Sequence, residues 1–207
     1  MRMLKIDEDI IMIALSDLDS NIYIIGDTVI DTGTGFNFTR LYDMLKRINK
    51  SFDSFKLIIN THCHFDHIGG NGYFYNAKIA IHKDDATYIE NADIKMTKAD
   101  FFDGKLHPMK VGIKLNDGDE LAGLKIMHTP GHTEGSVCIY DKNKGILFTG
   151  DTLFADGVGR SDLPGGDPQK LALSIERLSK LSVEKILPGH GEPVLKNASE
   201  VFTKILG

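Results

Sequence analysis

Short apolar segments separated by turn residues fill the first sixty positions of the chain. The segments IIMIAL, NIYIIG and TVIDTG have the length and composition of strands, and Gly26-Asp27 between the last two is typical of a hairpin turn. They predict a meander of closely spaced strands. Apolar positions then recur at helical spacing over residues 36–50, which predicts the first helix, and KLIIN predicts a buried strand after it.

The remaining pattern repeats this order of strands followed by helix. AKIAIH predicts a strand and KDDATYIENA a helix, residues 93–110 show no clear period, and VGIKL, LKIMH, SVCIYD and GILFTG predict four more strands. Pro168 lies in the first turn of a second predicted helix, KILPGHG predicts the last strand, and residues 198–206 predict a closing helix. Two strand-rich halves with helices predict an α/β sandwich, with the sheets inside, forming one domain over residues 1–207.

Composition narrows the class of protein. The chain has 207 residues, a formal charge of −5 and no Lys/Arg block, so we predict no nucleic-acid partner. The apolar stretch near the start is too short for a membrane span and has no signal-peptide pattern, which predicts a cytoplasmic protein without a membrane partner. Cys63 and Cys138 are predicted to be packed thiols and not a disulfide.

The segment THCHFDH holds an unusual group of histidines. His62, His64, Asp66 and His67 fall within six residues, at a spacing that suits the end of a strand running into a turn. Further along, an apolar strand and a small turn precede each of three other such residues: His132, Asp151 and His190. Because functional groups gather at the carboxyl ends of strands, we expect these side chains to converge.

Together these residues form a set of five histidines and two aspartates. One catalytic zinc needs three protein ligands, so seven donors suit two divalent metal ions that share a bridging carboxylate. Nitrogen and oxygen donors without a thiolate favour zinc, with iron or manganese as alternatives. Each histidine alone is better explained as a cap or a core residue, but the set is not. We expect structural or surface roles for His82, His107 and His128.

The motifs THCHFDH, PGHTEGS, FTGDTLF and PGHG resemble, in order, those of the metallo-β-lactamase superfamily over nearly the whole chain. The resemblance implies an αββα sandwich of two mixed sheets flanked by helices. It also implies a first metal held by His62, His64 and His132. The second metal would be held by Asp66, His67 and His190, with Asp151 bridging the two.

Within the superfamily, GDTLFADGVGR is similar to the glyoxalase II (hydroxyacylglutathione hydrolase) branch and its persulfide dioxygenase relative. Only 17 residues follow His190 (207 minus 190), so we expect no C-terminal helical domain like that of full-length glyoxalase II. GRSDLPGGDP resembles the shorter glyoxalase II-like hydrolases of bacteria and archaea. Val158 stands where those relatives often have cysteine.

The resemblance implies hydrolysis of a small-molecule thioester or related ester by a metal-bound hydroxide, with Asp66 and Asp151 as the catalytic carboxylates. Alternatives are a lactonase and a mononuclear iron persulfide dioxygenase that uses His62, His132 and Asp151. A non-enzymatic metal-binding subunit is a further alternative. The pattern does not predict an oligomeric state.

Two further groups of residues are expected around the metals. Residues expected to line the substrate are Arg160, Tyr88, Phe101 and Phe102. Since ligating imidazoles usually donate their other N–H to an oxygen, three residues are expected to hold them: Asp31, Thr61 and Ser136.

Overall fold

The computed structural model describes residues 1–207, which divide into two compact units. Unit 1 comprises Met1–Ile81 and Ala86–Lys114, and unit 2 comprises His82–Asp85 and Leu115–Gly207. Each unit has its own sheet and its own apolar cluster. The expectation of one domain over residues 1–207 stays a prediction.

The sheet of unit 1 has seven strands, which lie side by side in chain order; the last residues of the sixth and seventh strands, His82 and Leu115, are counted with unit 2. They are β1 (Arg2–Lys5), β2 (Ile10–Ala14), β3 (Ile22–Ile25), β4 (Thr28–Ile30), β5 (Leu57–Ile59), β6 (Lys78–His82) and β7 (Val111–Leu115). The first four pair antiparallel, which confirms the meander predicted for β2, β3 and β4 and adds β1, which was not predicted. In contrast, β4, β5 and β6 pair parallel. The sheet is therefore mixed, and its parallel strands end at the edge from which THCHFDH departs.

Three α-helices accompany this sheet: α1 (Phe38–Arg47), α2 (Phe65–Ile68) and α3 (Lys83–Glu90). The first buries Leu41, Met44 and Leu45, whose spacing places them on one face against the apolar cluster of the sheet. This confirms the helix predicted from periodicity. The sequence pattern did not predict α2, because four residues are too few to show a helical period.

Unit 2 contains the second sheet. Its strands are β8 (Glu120–Leu121), β9 (Leu124–His128), β10 (Val137–Asp141), β11 (Ile146–Gly150) and β12 (Lys185–Pro188), in the spatial order β12-β11-β10-β9-β8. Only β11 and β12 pair parallel. The connection between them contains α4 (Pro168–Leu178), and α5 (Ala198–Leu206) follows β12.

The start of α4 is defined by a side-chain cap. Asp167 accepts hydrogen bonds from the backbone N–H groups of Gln169 and Lys170, and Pro168 occupies the first helical position, where its missing N–H costs nothing. The helix then buries Leu171, Ile175 and Leu178 in the cluster of unit 2. This confirms that Pro168 lies in the first turn of a helix, as predicted.

Both cysteines are free and buried, as expected for packed thiols. Burial raises the pKa of the Cys138 thiol to about 11, so the reactive thiolate is scarce at neutral pH. No helix is long and apolar enough to cross a bilayer.

Replacing Leu45 tests the core of unit 1. Leu45→Ala removes a fully buried side chain, so we expect the free energy of unfolding to fall by about 2–5 kcal/mol. Arg47→Ala, in the exposed last turn of the same helix, is the matched control and should change it by less than about 0.5 kcal/mol. Urea denaturation followed by circular dichroism measures both. Equal effects would contradict the assignment of Leu45 to the core.

Candidate metal centre

The THCHFDH segment begins at Thr61, two residues after the end of β5. His64 is the residue before α2, and this short helix carries Asp66 and His67. The N–H of Phe65 donates to the carbonyl of Thr97 at 2.7 Å, which fixes the first turn. The expectation of a strand end running into a turn is therefore refined, because a helical turn carries the last two donors.

The four donor side chains of this segment lie close together inside unit 1. The ring centroid of His62 is 4.7 Å from that of His64 and 4.0 Å from that of His67. Asp66 Oδ2 is 3.6 Å from His67 Nε2, which is too long for a good hydrogen bond. All four residues are buried. Imidazole nitrogens and a carboxylate oxygen form a donor set that suits a divalent ion of the zinc or iron class.

Asp31 orients this cluster from the end of β4. Its carboxylate accepts hydrogen bonds from the N–H and the hydroxyl of Thr61, both at 2.8 Å, and pairs with His67 Nδ1 at 2.8 Å. The bond to Nδ1 turns Nε2 of His67 toward Asp66. The Thr61 hydroxyl also lies 3.1 Å from His62 Nδ1. Asp31 and Thr61 thus contact ligand-type imidazoles.

A network of amides supports α2, and sequence reasoning missed it. Asn60 and Asn71 exchange side-chain hydrogen bonds at 2.8 and 3.2 Å, and the Thr32 hydroxyl donates to Asn71 at 2.8 Å. The carbonyl of His67 accepts from the N–H of Thr32 at 2.8 Å. A Cβ on Gly70 would overlap the Thr32 carbonyl, so glycine is needed for this close approach. The one sequence signal was a polar residue, Asn60, ending the apolar segment LIIN.

In unit 2, one carboxylate oxygen lies between two imidazoles. Asp151 Oδ2 is 3.8 Å from His132 Nε2 and 3.7 Å from His190 Nε2. These separations exceed a hydrogen bond but match the spacing of two donors bound to one ion at about 2.1 Å, which lie about 3–4 Å apart. All three residues follow strand ends, as the sequence pattern predicted. The arrangement fits a carboxylate that bridges two metal ions.

The ring of His132 is oriented by a backbone carbonyl. His132 Nδ1 lies 2.7 Å from the carbonyl oxygen of Arg160. A Cβ on the neighbouring Gly159 would overlap the Asp151 carbonyl and lie 3.2 Å from His132 Nδ1. The loop through residues 159–160 can therefore reach the histidine only if residue 159 lacks a side chain.

The remaining predicted residues lie in different surroundings. The Arg160 guanidinium is largely exposed and pairs with Asp162 at 2.8 Å, so its proposed contact with substrate stays a prediction. Ser136 accepts a hydrogen bond from the N–H of Thr133 at 3.0 Å and so shapes the turn that follows His132.

The three predicted aromatic residues belong to unit 1. Phe101 is 74% exposed and meets Phe102 edge-on at 5.1 Å. The Phe102 ring lies 5.8 Å from that of Phe65, the residue after His64. Tyr88 packs against the apolar cluster that contains Cys63. Phe102 and Tyr88 thus both pack near residues of the THCHFDH segment, and the role of the three aromatic residues in substrate binding stays a prediction.

Comparison with known proteins places these features in a family. The family model "Metallo-beta-lactamase superfamily" matches residues 15–190. The probable metallo-hydrolase MJ0888 of Methanocaldococcus jannaschii is 40% identical over 186 residues, which cover 84% of this chain and 88% of that protein. The human acyl-coenzyme A thioesterase MBLAC2 is 30% identical, over 86% of this chain and 75% of its own length.

Two further relatives bear on the chemistry and the fold. The hydroxyacylglutathione hydrolase of Pelagibacter ubique is 37% identical over 108 residues, 51% of this chain and 39% of that protein. The crystal structure of TTHA1623 in a di-iron-bound form matches with a TM-score of 0.77 and 31% identity, over 89% of this chain and 94% of that chain. The predicted α/β class, with two mixed sheets and helices, is confirmed.

Asp31 offers a test of the residues behind the metal ligands. Asp31→Asn keeps the shape of the side chain, and asparagine tolerates the left-handed backbone at φ 54°. It removes the charge that pairs with His67, so we expect metal affinity to fall about 10–100-fold in competition with a chromophoric chelator. Asp27→Asn, in an exposed turn, is the control. Unchanged affinity in Asp31→Asn would contradict this role.

A pair of glycines tests the loop that reaches His132. Gly159→Ala introduces a Cβ that overlaps the Asp151 carbonyl, whereas a Cβ on Gly157 meets nothing within 4 Å. We expect Gly159→Ala to bind less metal per chain, because His132 and Asp151 are displaced, and Gly157→Ala to bind as much as the wild type. Elemental analysis after gel filtration measures both. The same metal content in the two variants would refute the close approach.

Proposed function

We propose that this chain, which belongs to the metallo-β-lactamase superfamily, is a metal-dependent hydrolase that cleaves a small-molecule thioester or a related ester. The observation that carries the proposal is the position of Asp151, whose Oδ2 lies at metal-ligand spacing from both His132 and His190. A thioesterase and a hydroxyacylglutathione hydrolase among the relatives support the thioester as substrate. Thioesters and other esters both contain a carbonyl carbon that an activated water molecule can attack.

The ligand assignment is the one that the family motifs imply. It gives the first ion to His62, His64 and His132, the second to Asp66, His67 and His190, and the bridge to Asp151. Nitrogen and carboxylate donors in each unit support this set, and zinc is the ion we propose, with iron and manganese as the ions to compare. The di-iron form of TTHA1623 supports a pair of ions.

Divalent ions at such donors make water a strong nucleophile near neutral pH and polarise a carbonyl oxygen. The residues of this chain position the donors and handle the proton. Asp31 and the Arg160 carbonyl each hold one ring nitrogen of a ligand histidine, which fixes the direction of the other nitrogen. Asp66 is the carboxylate that we propose to orient the attacking water and accept its proton. No serine or cysteine nucleophile is required.

A cleft in unit 1 supports a substrate with an apolar part. It is lined by Thr34, Gly35, Phe36, Phe65, Gly69, Tyr73, Asp103 and Lys105. The rings of Phe36 and Phe65 lie 5.5 Å apart, and Phe65 follows the ligand-type His64 directly. We propose that the aromatic wall contacts the acyl chain and that the Lys105 ammonium contacts a carboxylate or phosphate of the thiol carrier.

Hydrolysis assays test this function directly. We expect zinc-loaded protein to hydrolyse S-D-lactoylglutathione or an acyl-coenzyme A, and a chelator to abolish the turnover. His64→Ala should lower kcat/KM more than about 100-fold because it removes a ligand. His107→Ala, in an exposed loop, is the control.

Two outcomes would overturn the proposal. Turnover that survives complete metal removal would exclude a metal-dependent hydrolase. Absence of thioester hydrolysis together with oxygen uptake on glutathione persulfide by the iron-loaded protein would assign the chain to the dioxygenase chemistry instead.

A further inference from the structure

A second group of ligand-type side chains lies in unit 2, apart from the seven family positions. His82 is the last residue of β6, Asp84 lies in the first turn of α3, and His128 is the last residue of β9. One potential ligand atom from each residue lies within 4.8 Å of those of the other two. Structural or surface roles are expected for both histidines from the sequence, and the proposed hydrolase does not use them.

The geometry of this group resembles that around Asp151. Asp84 Oδ2 is 3.5 Å from His82 Nδ1 and 4.0 Å from His128 Nε2. The two imidazole rings stack with centroids 3.9 Å apart and planes 12° from parallel. One carboxylate oxygen thus lies near a nitrogen of each ring, at separations close to those of donors around a single ion.

We propose that His82, Asp84 and His128 bind a divalent transition-metal ion, at a site additional to the family centre. Two imidazoles and one carboxylate form a donor set that selects zinc, nickel or copper over magnesium or calcium. Three protein donors leave room for water to complete the coordination of a zinc ion.

The three side chains differ in their exposure to solvent. His82 is 2% exposed, whereas the side chains of His128 and Asp84 are 24% and 42% exposed. Burial, aided by the neighbouring His128, lowers the pKa of His82 to about 4, so protons do not compete for this ring at neutral pH. When the three side chains bind an ion, the His128 ring rotates out of its stack with His82. Its 2.9 Å contact with the Glu134 carbonyl is then replaced by a bond to the ion.

The proposed site lies beside the loop that carries His132. His128 precedes this loop, and Asp85, next to Asp84, binds its other end through the Thr133 hydroxyl and the Gly135 N–H, both at 2.8 Å. With an ion held by His128 and Asp84 at one end and the hydrogen bonds of Asp85 at the other, both ends of the loop are linked to the start of α3. The effect of the ion is to reduce the mobility of the segment that carries a ligand of the family centre.

Metal counting tests the site without an activity assay. The Asp84→Asn/His128→Gln double variant removes the two exposed donors and leaves buried His82 in place. After equilibration with the same micromolar free zinc, we expect wild type to hold one more zinc per chain than this variant. His107→Gln, which removes an exposed histidine elsewhere, should hold as many as wild type. Equal counts in wild type and the double variant would overturn the proposal.

A measurement on the wild type guards against misfolding of the variant. With the family centre already loaded, zinc is titrated while the imidazole nitrogen resonances are followed by NMR. We expect the His82 and His128 resonances to shift together and to saturate after one further equivalent. Resonances that do not move would overturn the site. Both readouts are independent of hydrolysis, so a failure to cleave thioesters leaves this test intact.

Discussion

The hydrogen bond between the Asp31 carboxylate and Nδ1 of His67 is the interaction on which the candidate centre in unit 1 depends. Both side chains are almost completely buried, where a carboxylate without partners would be strongly destabilising. Asp31 is satisfied by Thr61 as well as by His67, so one charged group fixes the exit of β5 and the direction of an imidazole together. The contacts of Asp31 that stabilise the turn therefore also orient the His67 imidazole.

In unit 2, an uncharged group orients the ligand-type histidine. The ring of His132 is held by the backbone carbonyl of Arg160, which any residue could supply, and the approach of that backbone depends on Gly159. The orientation of His132 therefore requires a particular backbone path through residues 159–160, and not a particular side chain at residue 160. A carboxylate behind one histidine and a carbonyl behind the other also give the two imidazoles different electron-donating character, because only the carboxylate carries a full charge.

The loop that carries His132 lies next to both proposed metal sites in the chain. Asp85 binds Thr133 and Gly135 at the end of this loop, and its neighbour Asp84 belongs to the group with His82 and His128. Three of the family positions, His62, His67 and His132, are buried imidazoles whose Nδ1 atoms contact an oxygen of Thr61, Asp31 or Arg160. The additional group combines one buried imidazole with two exposed donors, so it is suited to an exchangeable ion, whereas the family centre is suited to a resident one.

The sequence by itself determined most of the strands, the longer helices and which residues are candidate metal donors. Strands, long helices and strand ends depend on the periodicity of neighbouring residues, which is why α1, α4 and the positions of His132, Asp151 and His190 could be predicted. Only the tertiary structure decided which groups meet across the sheets. Asp31 and His67 are 36 residues apart, and His82 stacks on His128 from another strand. Such pairs depend on strand register and loop path, which no local pattern encodes, and α2 escaped prediction because one turn is too short to show a period.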